Sequence, residues 1–524
     1  MLRGYRLLKK TGQIDRISRL KQELKDQKFS LTNKGFLVYL IGSGHSYSET
    51  VVRQYLLIRI GGLDLNKALL YATGKKGGKV IYPLPKEWRD TLEEYGFSIG
   101  RYRAAILWQF YIVYIWLFGV YRLLKVFFRN LTINDTNEYF KKYIFFAGLS
   151  PNNISKIDDK IEQFNIVSWW MQWPKKNIEI DTLFHSVSSR PPFLFNDIDI
   201  KYSPCFLPKF KGFISQIKYI VHACCEALCS LINFLFGSWH NAFMLNQYAD
   251  LLHAQLVNPE DLAREYFFHH SDWIYRPLWT YEAERKGSRI FMYFYSTNCE
   301  VLKHKKSDDS NPINLYKGMS WPNYLVWDHY QAEFLVKTLG HNVKYEIVGQ
   351  IWFSDDENEV PELPENSVIV FDVQPYRSSV YQPQCIEFEY YVPKVTTQFI
   401  QDIYDVLVIN NLNMVLKRKR DVGYKLSKSY SKILEHLEYE RSFIAVNPNI
   451  SAFRLIEKSK IVISMPYTST AHIAKNYGLS SIYYDPSGLL VKNDPGSHGI
   501  PLISGKDELI VWFENYFNRI NGNN

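Results

Sequence analysis

From about Gln255 onward, the sequence alternates between short apolar runs and longer patterns with helical spacing. The apolar runs predict strands at Ser367–Val373, Asn413–Lys417 and Lys460–Ser464. The pattern over Val395–Asn411 predicts a helix between the first two of these strands. Strands separated by helices of about ten or more residues are joined by crossovers, which predicts a parallel, doubly wound sheet. Ligands of such sheets bind at the carboxyl ends of the strands, so functional residues are expected there.

The chain of 524 residues is too long for one ordinary core, because single domains usually run to about 100–200 residues. We therefore expect a basic amphipathic helix over residues 1–30, an N-terminal domain over residues 31–350 and a C-terminal domain over residues 351–524. In the N-terminal domain, the apolar run Gly35–Ile41 and the turn Gly42–Ser48 predict the start of an α/β unit.

The composition narrows the class of protein. Hydrophobic residues make up 46% of the chain and charged residues 22%, which is the balance of a globular protein. The net charge of +9 suits an anionic partner, but the basic residues form no long stripe interleaved with aromatic side chains, so no nucleic-acid partner is expected. The 6 cysteines lack metal-ligand spacing and the N-terminus shows no cleavable signal pattern, so we expect a cytoplasmic location.

Two apolar runs distinguish the N-terminal half. Ala104–Tyr121 carries no charge and is just long enough to span a bilayer, but its central Trp and Tyr residues prefer the membrane interface. It fits a buried helix, a helix in the membrane surface or a membrane span. Ile217–Phe236 is interrupted by Lys218, His222 and Glu226, which predicts an amphipathic helix. Together the runs predict peripheral attachment to the inner membrane.

The hydroxyl-rich segment Ser464–Thr470 is the strongest candidate for a binding site. It follows a predicted strand and leads into a predicted helix over Ser469–Tyr477, which is closed by Gly478. The free amides at a helix start and the positive end of the helix dipole form an anion site, to which neighbouring hydroxyl groups can add hydrogen bonds. In the alternative interpretation, Thr468 and Ser469 only cap the helix.

The residues Pro466-Tyr-Thr-Ser469 are similar to the Pro-Phe-Thr-Ser signature of the polysaccharide biosynthesis PFTS motif family, with Tyr467 in place of the usual Phe. The order of helix, strand, turn, helix, Gly and strand resembles the donor-binding domain of GT-B glycosyltransferases over about Asp272–Phe513. The resemblance implies a GT-B-like α/β fold, with two Rossmann-like, doubly wound domains facing a cleft and extra apolar helices in the N-terminal half. It implies an N-terminal acceptor side and a C-terminal domain that binds a nucleotide sugar.

The resemblance also implies roles for side chains at the strand ends of the C-terminal domain. The turn residues would hold the donor phosphate, and the polar residues after the first strand would face donor and acceptor. The basic residues after the second strand would neutralise the departing phosphate, unless they form only a solvated turn. Asn449 lies where this architecture reads the nucleotide base. The donor-binding candidates are Ser464, Pro466, Tyr467, Thr468, Ser469, Thr470, Asp372, Gln374, Arg377, Lys417, Arg418, Lys419 and Asn449.

Transfer of a sugar to a hydroxyl group requires a base. Glu282 and Glu284 are the first candidates, because they precede a predicted strand whose loop is expected to face the cleft. The alternative for both is a solvent-exposed helical carboxylate. Asp272 and His270 are the next candidates. No paired Asp-x-Asp motif lies in a suitable loop, so neither a metal nor a tightly bound cofactor is expected beside the nucleotide-sugar substrate.

The sequence therefore predicts a metal-independent glycosyltransferase of bacterial surface polysaccharide biosynthesis, for capsule or O-antigen. It would move a sugar from a nucleotide donor to a glycan or lipid-linked acceptor. The residues leave CMP, UDP and GDP donors open, and the resemblance slightly favours a CMP-linked acidic sugar. One alternative is a nucleotide-sugar epimerase of the same fold, which would need no acceptor. Another is a non-catalytic scaffold of a polysaccharide assembly, which would bind its ligand without turnover.

Overall fold

The computed structural model describes residues 1–26, 49–62, 64–131, 142–154, 164–173, 179–305, 316–355, 359–381 and 390–522. The predicted strand Gly35–Ile41 and the turn Gly42–Ser48 lie outside the described residues. The chain forms two compact units. The first comprises Met1–Leu149, Asn177–Tyr293 and Asn314–Tyr324, and the second comprises Ser150–Lys176, Phe294–Ile313 and Leu325–Asn524.

Helices dominate the beginning of the chain, and strands and helices alternate after it. The helices are α1 (Leu2–Lys10), α2 (Ile14–Asp26), α3 (Glu49–Gly61), α4 (Leu65–Thr73), α5 (Lys86–Glu94), α6 (Arg101–Leu131), α7 (Ile166–Gln172), α8 (Phe213–Leu235), α9 (Trp239–Leu256), α10 (Trp279–Arg285), α11 (His329–Leu339), α12 (Ser378–Tyr381), α13 (Pro393–Ile409), α14 (Lys428–Leu437), α15 (Ala452–Glu457), α16 (Ser469–Asn476) and α17 (Lys506–Gly522). The strands are β1 (Tyr143–Phe146), β2 (Thr182–His185), β3 (Phe193–Phe195), β4 (Ile198–Tyr202), β5 (Glu265–His269), β6 (Arg289–Tyr293), β7 (Tyr324–Val326), β8 (Tyr345–Ile347), β9 (Ser367–Phe371), β10 (Asn413–Lys417), β11 (Phe443–Val446), β12 (Ile461–Ser464), β13 (Ser480–Asp485) and β14 (Leu502–Ser504).

The sheet of the first unit is built around an apolar central strand. β1 is buried along its whole length and pairs in parallel with both β2 and β5. Within the unit the strand order is β3-β4-β2-β1-β5-β6, so the direction of strand addition reverses between β1 and β5. β3 and β4 are antiparallel. Asn196 and Asp197 join them with φ of 48° and 62°, the left-handed backbone that a two-residue hairpin turn requires.

Three long helices of the first unit pack against one another. α9 is buried along nearly its whole length and contacts both α6 and α8. Gly119 of α6 permits a close approach, because a Cβ atom there would lie 2.7 Å from Cβ of Leu245 in α9. The indole N–H of Trp116 in α6 donates to the carbonyl oxygen of Ala227 at 3.2 Å and to Oγ of Ser230 at 3.1 Å, both in α8. One side of α6 and one side of α8 are therefore covered by protein.

The other sides of α6 and α8 are exposed and apolar, and we call this surface the apolar face. Both helices are long and apolar enough to cross a membrane by length and composition, and 28% and 22% of their most apolar stretches are buried. The apolar face comprises Tyr102, Ile106, Phe110, Tyr114, Leu117, Tyr121, Leu124 and Phe128 of α6 and Phe213, Ile214, Ile217, Val221, Leu228, Ile232 and Leu235 of α8.

The described sheet of the second unit is entirely parallel. Its order is β11-β10-β9-β12-β13-β14, which is the strand order of a Rossmann fold. The central strand β9 is buried at every residue, as expected for a parallel sheet with helices on both faces. Phe399 and Ile403 of α13 and Phe513 of α17 lie in the core of this unit. Strand addition reverses between β9 and β12.

The predicted α/β class with apolar helices in the N-terminal half is confirmed. β10 occupies Asn413–Lys417 as predicted, and α16 ends beside Gly478, which has a φ of 72°. The expectation of one N-terminal helix is wrong, because the segment forms α1 and α2. Gly12 lies between them with a φ of 66°, a left-handed conformation that ends a helix.

Candidate functional site

Four strands of the second unit, β9, β10, β11 and β12, end in register with one another at the carboxyl edge of the sheet. Phe371, the last residue of β9, is the partner of both Lys417 at the end of β10 and Ser464 at the end of β12. Val446, the last residue of β11, is in turn opposite Lys417. The loops after these four strands therefore begin at one edge. Each residue predicted to bind the donor lies at one of these ends or in the chain that follows it.

The hydroxyl groups of the turn after β12 are bonded to one another. Oγ1 of Thr470 lies 2.8 Å from Oγ of Ser464 and 3.3 Å from Oγ1 of Thr468. Thr468 Oγ1 also donates to the carbonyl oxygen of Met465 at 2.8 Å. The residues from Ser464 to Thr468 are buried, whereas Ser469 and Thr470 are half-buried. The accessible part of the turn is therefore the start of α16.

The first turn of α16 has no side-chain cap from its N-cap residue. Thr468 occupies the N-cap position, but its side chain accepts no hydrogen bond from a helix amide. The hydroxyl oxygen of Ser469 accepts hydrogen bonds from the backbone N–H of Thr297 at 2.9 Å and from the hydroxyl of Thr297 at 3.2 Å, while its own O–H can still donate. The side chain of Thr468 therefore does not cap α16 in this structure. The amides of the first turn and the helix dipole remain suited to an anion.

Tyr467 sets the shape of the turn. Its φ of 62° lies in the left-handed region, which costs free energy for a residue with a side chain. Packing holds it there, because its buried ring lies 6.2 Å from the ring of Tyr483 and a Cβ atom at Gly496 would lie 2.9 Å from its Cε2. The hydroxyl of Tyr391 donates to the carbonyl oxygen of Pro466 at 2.8 Å. Burial raises the pKa of Tyr467.

Asp372 and Lys417 are buried ionisable groups at the same edge. Burial raises the pKa of Asp372 to about 6, although the Tyr430 hydroxyl donates to its carboxylate and opposes this rise. Lys417 Nζ donates to the carbonyl oxygen of Pro448 at 2.9 Å. Burial lowers the pKa of Lys417 to about 8, and the charge of Asp372 opposes this fall. The protonation of both groups is therefore sensitive to a charged ligand placed beside them.

The other residues predicted to bind the donor differ in accessibility. Arg377, Lys419 and Asn449 are exposed. Gln374 is buried, and its Oε1 accepts a hydrogen bond from the backbone N–H of Arg420 at 3.3 Å. This bond connects the loop after β9 to the loop after β10. The structure brings these residues to one edge of the sheet, and their contacts with a donor stay a prediction.

Asp328, His472 and His498 form a cluster that was not predicted from the sequence. Oδ2 of Asp328 lies 2.8 Å from Nδ1 of His498 and 3.7 Å from Nδ1 of His472. Nε2 of His498 lies 3.2 Å from the carbonyl oxygen of Thr297, so both ring nitrogens of His498 face acceptors. Burial favours a raised pKa of Asp328, but the hydrogen bond and charge of His498 hold that pKa below its ordinary value. Burial lowers the pKa of His472 to about 4.

This cluster is connected to the start of α16. Thr297, which accepts from His498, also donates to Ser469. One ligand atom from each residue of the cluster lies within 4.8 Å of the others, a spacing that can hold a metal ion. Oδ1 of Asp328 also accepts a hydrogen bond from the backbone N–H of Gln331 at 2.9 Å. Because these hydrogen bonds already occupy Asp328 and His498, we interpret the cluster as a network that orients α16.

The candidate bases all lie in the first unit. Asp272 follows β5, at the edge where strand addition reverses, and its side chain is 59% exposed. Its Oδ2 lies 3.5 Å from Nε2 of His269. A Cβ atom at Gly148, just after β1, would lie 3.3 Å from the same oxygen, so the carboxylate faces the loop that follows β1. His270 is buried, and burial lowers its pKa to about 3.

Glu282 and Glu284 are engaged in ion pairs. The side chain of Glu282 is 3% exposed, accepts from Nε of Arg285 at 2.8 Å and lies 3.9 Å from Nζ of Lys286. Glu284 is 42% exposed and pairs with the buried guanidinium of Arg276. Glu284 is therefore an exposed helical carboxylate, as the alternative interpretation has it, whereas Glu282 is buried. Their role as a base stays a prediction.

Two Rossmann-like units in one chain define a GT-B-like protein. The family follows from the sequence itself. The chain belongs to the polysaccharide biosynthesis PFTS motif protein family, whose model matches residues 230–513. This match confirms the resemblance that the Pro466–Ser469 motif indicated.

Three solved structures are similar to this chain. UDP-GlcNAc 2-epimerase from Methanocaldococcus jannaschii has a TM-score of 0.38 and 10% identity, covering 71% of this chain and 92% of that chain. The same enzyme in complex with UDP-GlcNAc and UDP has a TM-score of 0.32 and 9% identity, with coverage of 71% and 92%. Phytolacca americana UGT2, complexed with UDP-2fluoro-glucose and pterostilbene, has a TM-score of 0.31 and 10% identity, with coverage of 70% and 82%. A comparison with the curated proteins gives no match.

The raised pKa of Asp372 predicts a pH-dependent stability. The folded protein binds the Asp372 proton more tightly than the unfolded chain, so this contribution is complete below about pH 4 and is lost as the pH rises through about 6. We expect the free energy of unfolding of the wild type to fall over this pH range by at most about 3 kcal/mol relative to that of Asp372→Asn. The measurement is the urea midpoint of both proteins at each pH. The amide of Asn can still accept from Tyr430. Parallel pH profiles of the two proteins would contradict this assignment.

Proposed function

We propose that the chain is a glycosyltransferase of bacterial surface polysaccharide biosynthesis that takes its sugar from a nucleotide donor bound by the second unit. Its family is one of polysaccharide biosynthesis proteins. The observation that carries the proposal is the start of α16, which lacks a side-chain cap from its N-cap residue and lies where strand addition reverses in a Rossmann-like sheet. Ligands of such sheets bind at this point.

The donor phosphate contacts the first-turn amides of α16 and the half-buried hydroxyls of Ser469 and Thr470 in this proposal. The helix dipole contributes about half a positive charge at this end. Lys417 is the last residue of β10, in register with the end of β9. Its positive charge stabilises the negative charge that develops on the departing phosphate. Amides, hydroxyls and a lysine stabilise a leaving phosphate without a metal, so we propose a reaction that needs neither a metal nor a tightly bound cofactor.

CMP is the first nucleotide to test, because the motif loosely resembles enzymes that use CMP-linked acidic sugars. We expect CMP to raise the thermal unfolding midpoint of the full chain more than UDP or GDP does. Thr470→Val should weaken CMP binding by about tenfold or more, because a hydrogen bond to a charged group contributes about 1.5–3 kcal/mol.

Ser481→Ala is the matched control for this titration. It removes a hydroxyl that donates to the carbonyl oxygen of Ala471 in the same helix, from the second residue of β13, which pairs with Val462 rather than with the strand end Ser464. An equal loss of affinity in this variant would show that the Thr470 effect is structural. The absence of any shift with CMP, UDP and GDP would contradict the donor site itself.

We propose Asp272 as the base that deprotonates the acceptor hydroxyl. Its carboxylate is accessible and lies at the edge where strand addition reverses in the first unit. Glu282 is held by Arg285, and Glu284 is held by Arg276, so each has a cationic partner that competes for its carboxylate. His269 lies beside Asp272, and its Nε2 bonds to the carbonyl oxygen of Gly148 at 2.9 Å.

Asp272→Asn is expected to lower the rate of sugar transfer by about 10²–10⁴-fold, the usual contribution of a general base. Transfer from the nucleotide sugar to a lipid-linked acceptor should be measured under single-turnover conditions, with and without EDTA. Glu260→Gln, an exposed carboxylate just before β5, is the control and should retain the wild-type rate. If all variants fold and Asp272→Asn keeps its activity while Glu282→Gln or Glu284→Gln loses it, that Glu and not Asp272 is the base.

The same assay separates the alternative functions. A nucleotide-sugar epimerase would convert its substrate in the absence of any acceptor. A scaffold of a polysaccharide assembly would bind the nucleotide without turnover. The glycosyltransferase proposal requires nucleotide release that depends on the acceptor.

We further propose that the acceptor is lipid-linked and that the chain works at the cytoplasmic surface of the inner membrane. The apolar face supports this, since a contiguous apolar surface of this extent on a soluble protein marks an interaction site. Phe110 and Phe213 are 69% and 75% exposed. Tyr residues accompany them, which suits the interfacial region of a bilayer.

Replacing Phe110, Tyr114 and Leu117 together by Ser should move the chain from the membrane fraction to the soluble fraction. A fully buried apolar side chain contributes about 1.5–3 kcal/mol, so partition onto vesicles should fall by at least about tenfold. The control replaces Ile409, Tyr424 and Tyr439 by Ser, three exposed side chains of the second unit. Equal partition of both triple variants would contradict the role of the apolar face.

A further inference from the structure

The hydroxyl of Ser469 is held in one orientation by Thr297. Its oxygen accepts a hydrogen bond from the backbone N–H of Thr297 at 2.9 Å and another from the hydroxyl of Thr297 at 3.2 Å. A hydroxyl oxygen has two lone pairs and one proton, so two accepted bonds leave the proton as the part that binds a further partner. Ser469 is half-buried, whereas Thr297 is 3% exposed. The O–H of Ser469 is therefore directed away from Thr297, as a donor at the start of α16.

His498 holds Thr297 in turn. Nε2 of His498 lies 3.2 Å from the carbonyl oxygen of Thr297, and its Nδ1 lies 2.8 Å from Oδ2 of Asp328. Carbonyl and carboxylate oxygens accept hydrogen bonds, so both ring nitrogens of His498 are donors. A ring that donates from both nitrogens is protonated, and its positive charge strengthens the bond to the carboxylate. His498 is 2% exposed, so these bonds are shielded from water.

Further ionisable side chains lie beside His498. The His472 ring centre is 5.6 Å from that of His498, and burial lowers the pKa of His472 to about 4, so this ring is uncharged at neutral pH. The Tyr330 ring centre lies 5.8 Å from that of His498. Nζ of Lys475 donates to the backbone carbonyl oxygen of His498 at 3.4 Å. Of these neighbours, Asp328 is the one whose negative charge pairs with the His498 ring.

The backbone of His498 is in an unusual conformation. Its φ of 53° lies in the left-handed region, which costs free energy for a residue with a side chain. Such a conformation persists where the surrounding contacts hold it. The backbone N–H of His498 donates to the carbonyl oxygen of Pro495 at 2.9 Å, and its ring is bonded on both sides. The fold thus maintains a strained residue in order to place this ring between Asp328 and Thr297.

We propose that His498 is a positioning residue for the donor phosphate, an inference that rests on the proposed donor site at the start of α16. His498, held by Asp328, fixes the backbone of Thr297. Thr297 then directs the O–H of Ser469 toward a phosphate oxygen. Because these bonds exist before the nucleotide arrives, binding does not have to order the hydroxyl.

The first test is a double-mutant cycle on nucleotide affinity, measured with the full chain. The probe is CMP, replaced by UDP or GDP if either gives the larger thermal shift. His498→Asn keeps a residue type that tolerates the left-handed backbone, but its side chain is too short to bond both Asp328 and Thr297. We expect His498→Asn to weaken binding by about tenfold in the wild type, but by less than about twofold in Ser469→Ala.

Thr297→Val is the second variant. It keeps the backbone N–H and the shape of the side chain, but it removes the hydroxyl that donates to Ser469. We expect nucleotide binding to weaken by about threefold to tenfold. The matched control is Ser459→Ala, which removes a buried hydroxyl that donates to the carbonyl oxygen of Ile461, at the opposite end of β12 from Ser464. The control should bind the nucleotide as tightly as the wild type.

A pH profile separates positioning from a purely structural role. When His498 of the wild type loses one proton, the carboxylate of Asp328 keeps the other on Nδ1, so Nε2 no longer donates to Thr297. Asp328→Asn keeps the bond to the backbone N–H of Gln331, and its amide N–H₂ donates to Nδ1, which leaves the proton of a neutral ring on Nε2. Between about pH 7 and pH 9, nucleotide affinity should fall by about fivefold in the wild type and several times less in Asp328→Asn.

Three results would overturn the positioning role. The first is an equal effect of His498→Asn with and without the Ser469 hydroxyl. The second is a loss in Ser459→Ala as large as that in Thr297→Val. The third is a pair of parallel pH profiles for the wild type and Asp328→Asn.

Urea unfolding of each variant without nucleotide shows which of them fold. If His498→Asn does not fold, Thr297→Val takes its place in the cycle with Ser469→Ala. If the wild type binds none of the three nucleotides, the donor site itself is wrong. If the wild type binds a nucleotide and the folded variants bind it as tightly, the donor site stands and only the role of His498 is wrong.

Discussion

Backbone hydrogen bonds between β9 and its neighbours β10 and β12 determine where along the sheet these strands end and their loops begin. Phe371 is opposite both Lys417 and Ser464, so three strand ends coincide. A slip of one residue would turn every side chain of a strand to the other face, and these strands are buried throughout. The core therefore enforces the register, and the register places Asp372, Lys417 and the start of α16 at one edge.

Much of this edge could be predicted because its strands are continuous apolar runs between polar or turn residues. Such runs are the sequence signature of strands buried on both faces, and Asn413–Lys417 was placed to the residue. Gly478 marked the end of α16, because glycine enters the left-handed region without a steric penalty. Once strands and helices alternate, the rule that ligands bind at carboxyl ends selects the residues of the site without any further pattern.

The rest depended on contacts that no local pattern encodes. Asp328 and His498 are 170 residues apart, and only the fold makes them partners. The strands β2, β3 and β4 are 3–5 residues long, too short to show a period, although Asn196 and Asp197 are residue types that tolerate the left-handed turn between β3 and β4. The sequence placed Glu282 on a helix, but its burial against Arg285 depends on how that helix packs.

The packing of α6 also bears on how it would meet a bilayer. One side of α6 is covered by α9 near Gly119 and Leu245, and α9 buries the polar side chains of Asn241, Asn246 and Gln247. Polar side chains are costly at the bilayer centre, so a helix with buried amide side chains is an unfavourable neighbour for a membrane span. The pair of Arg122 with Asp250 adds a charged contact on the same side. These contacts favour a helix that lies along the membrane surface, with its exposed side toward the lipid and its covered side toward the protein.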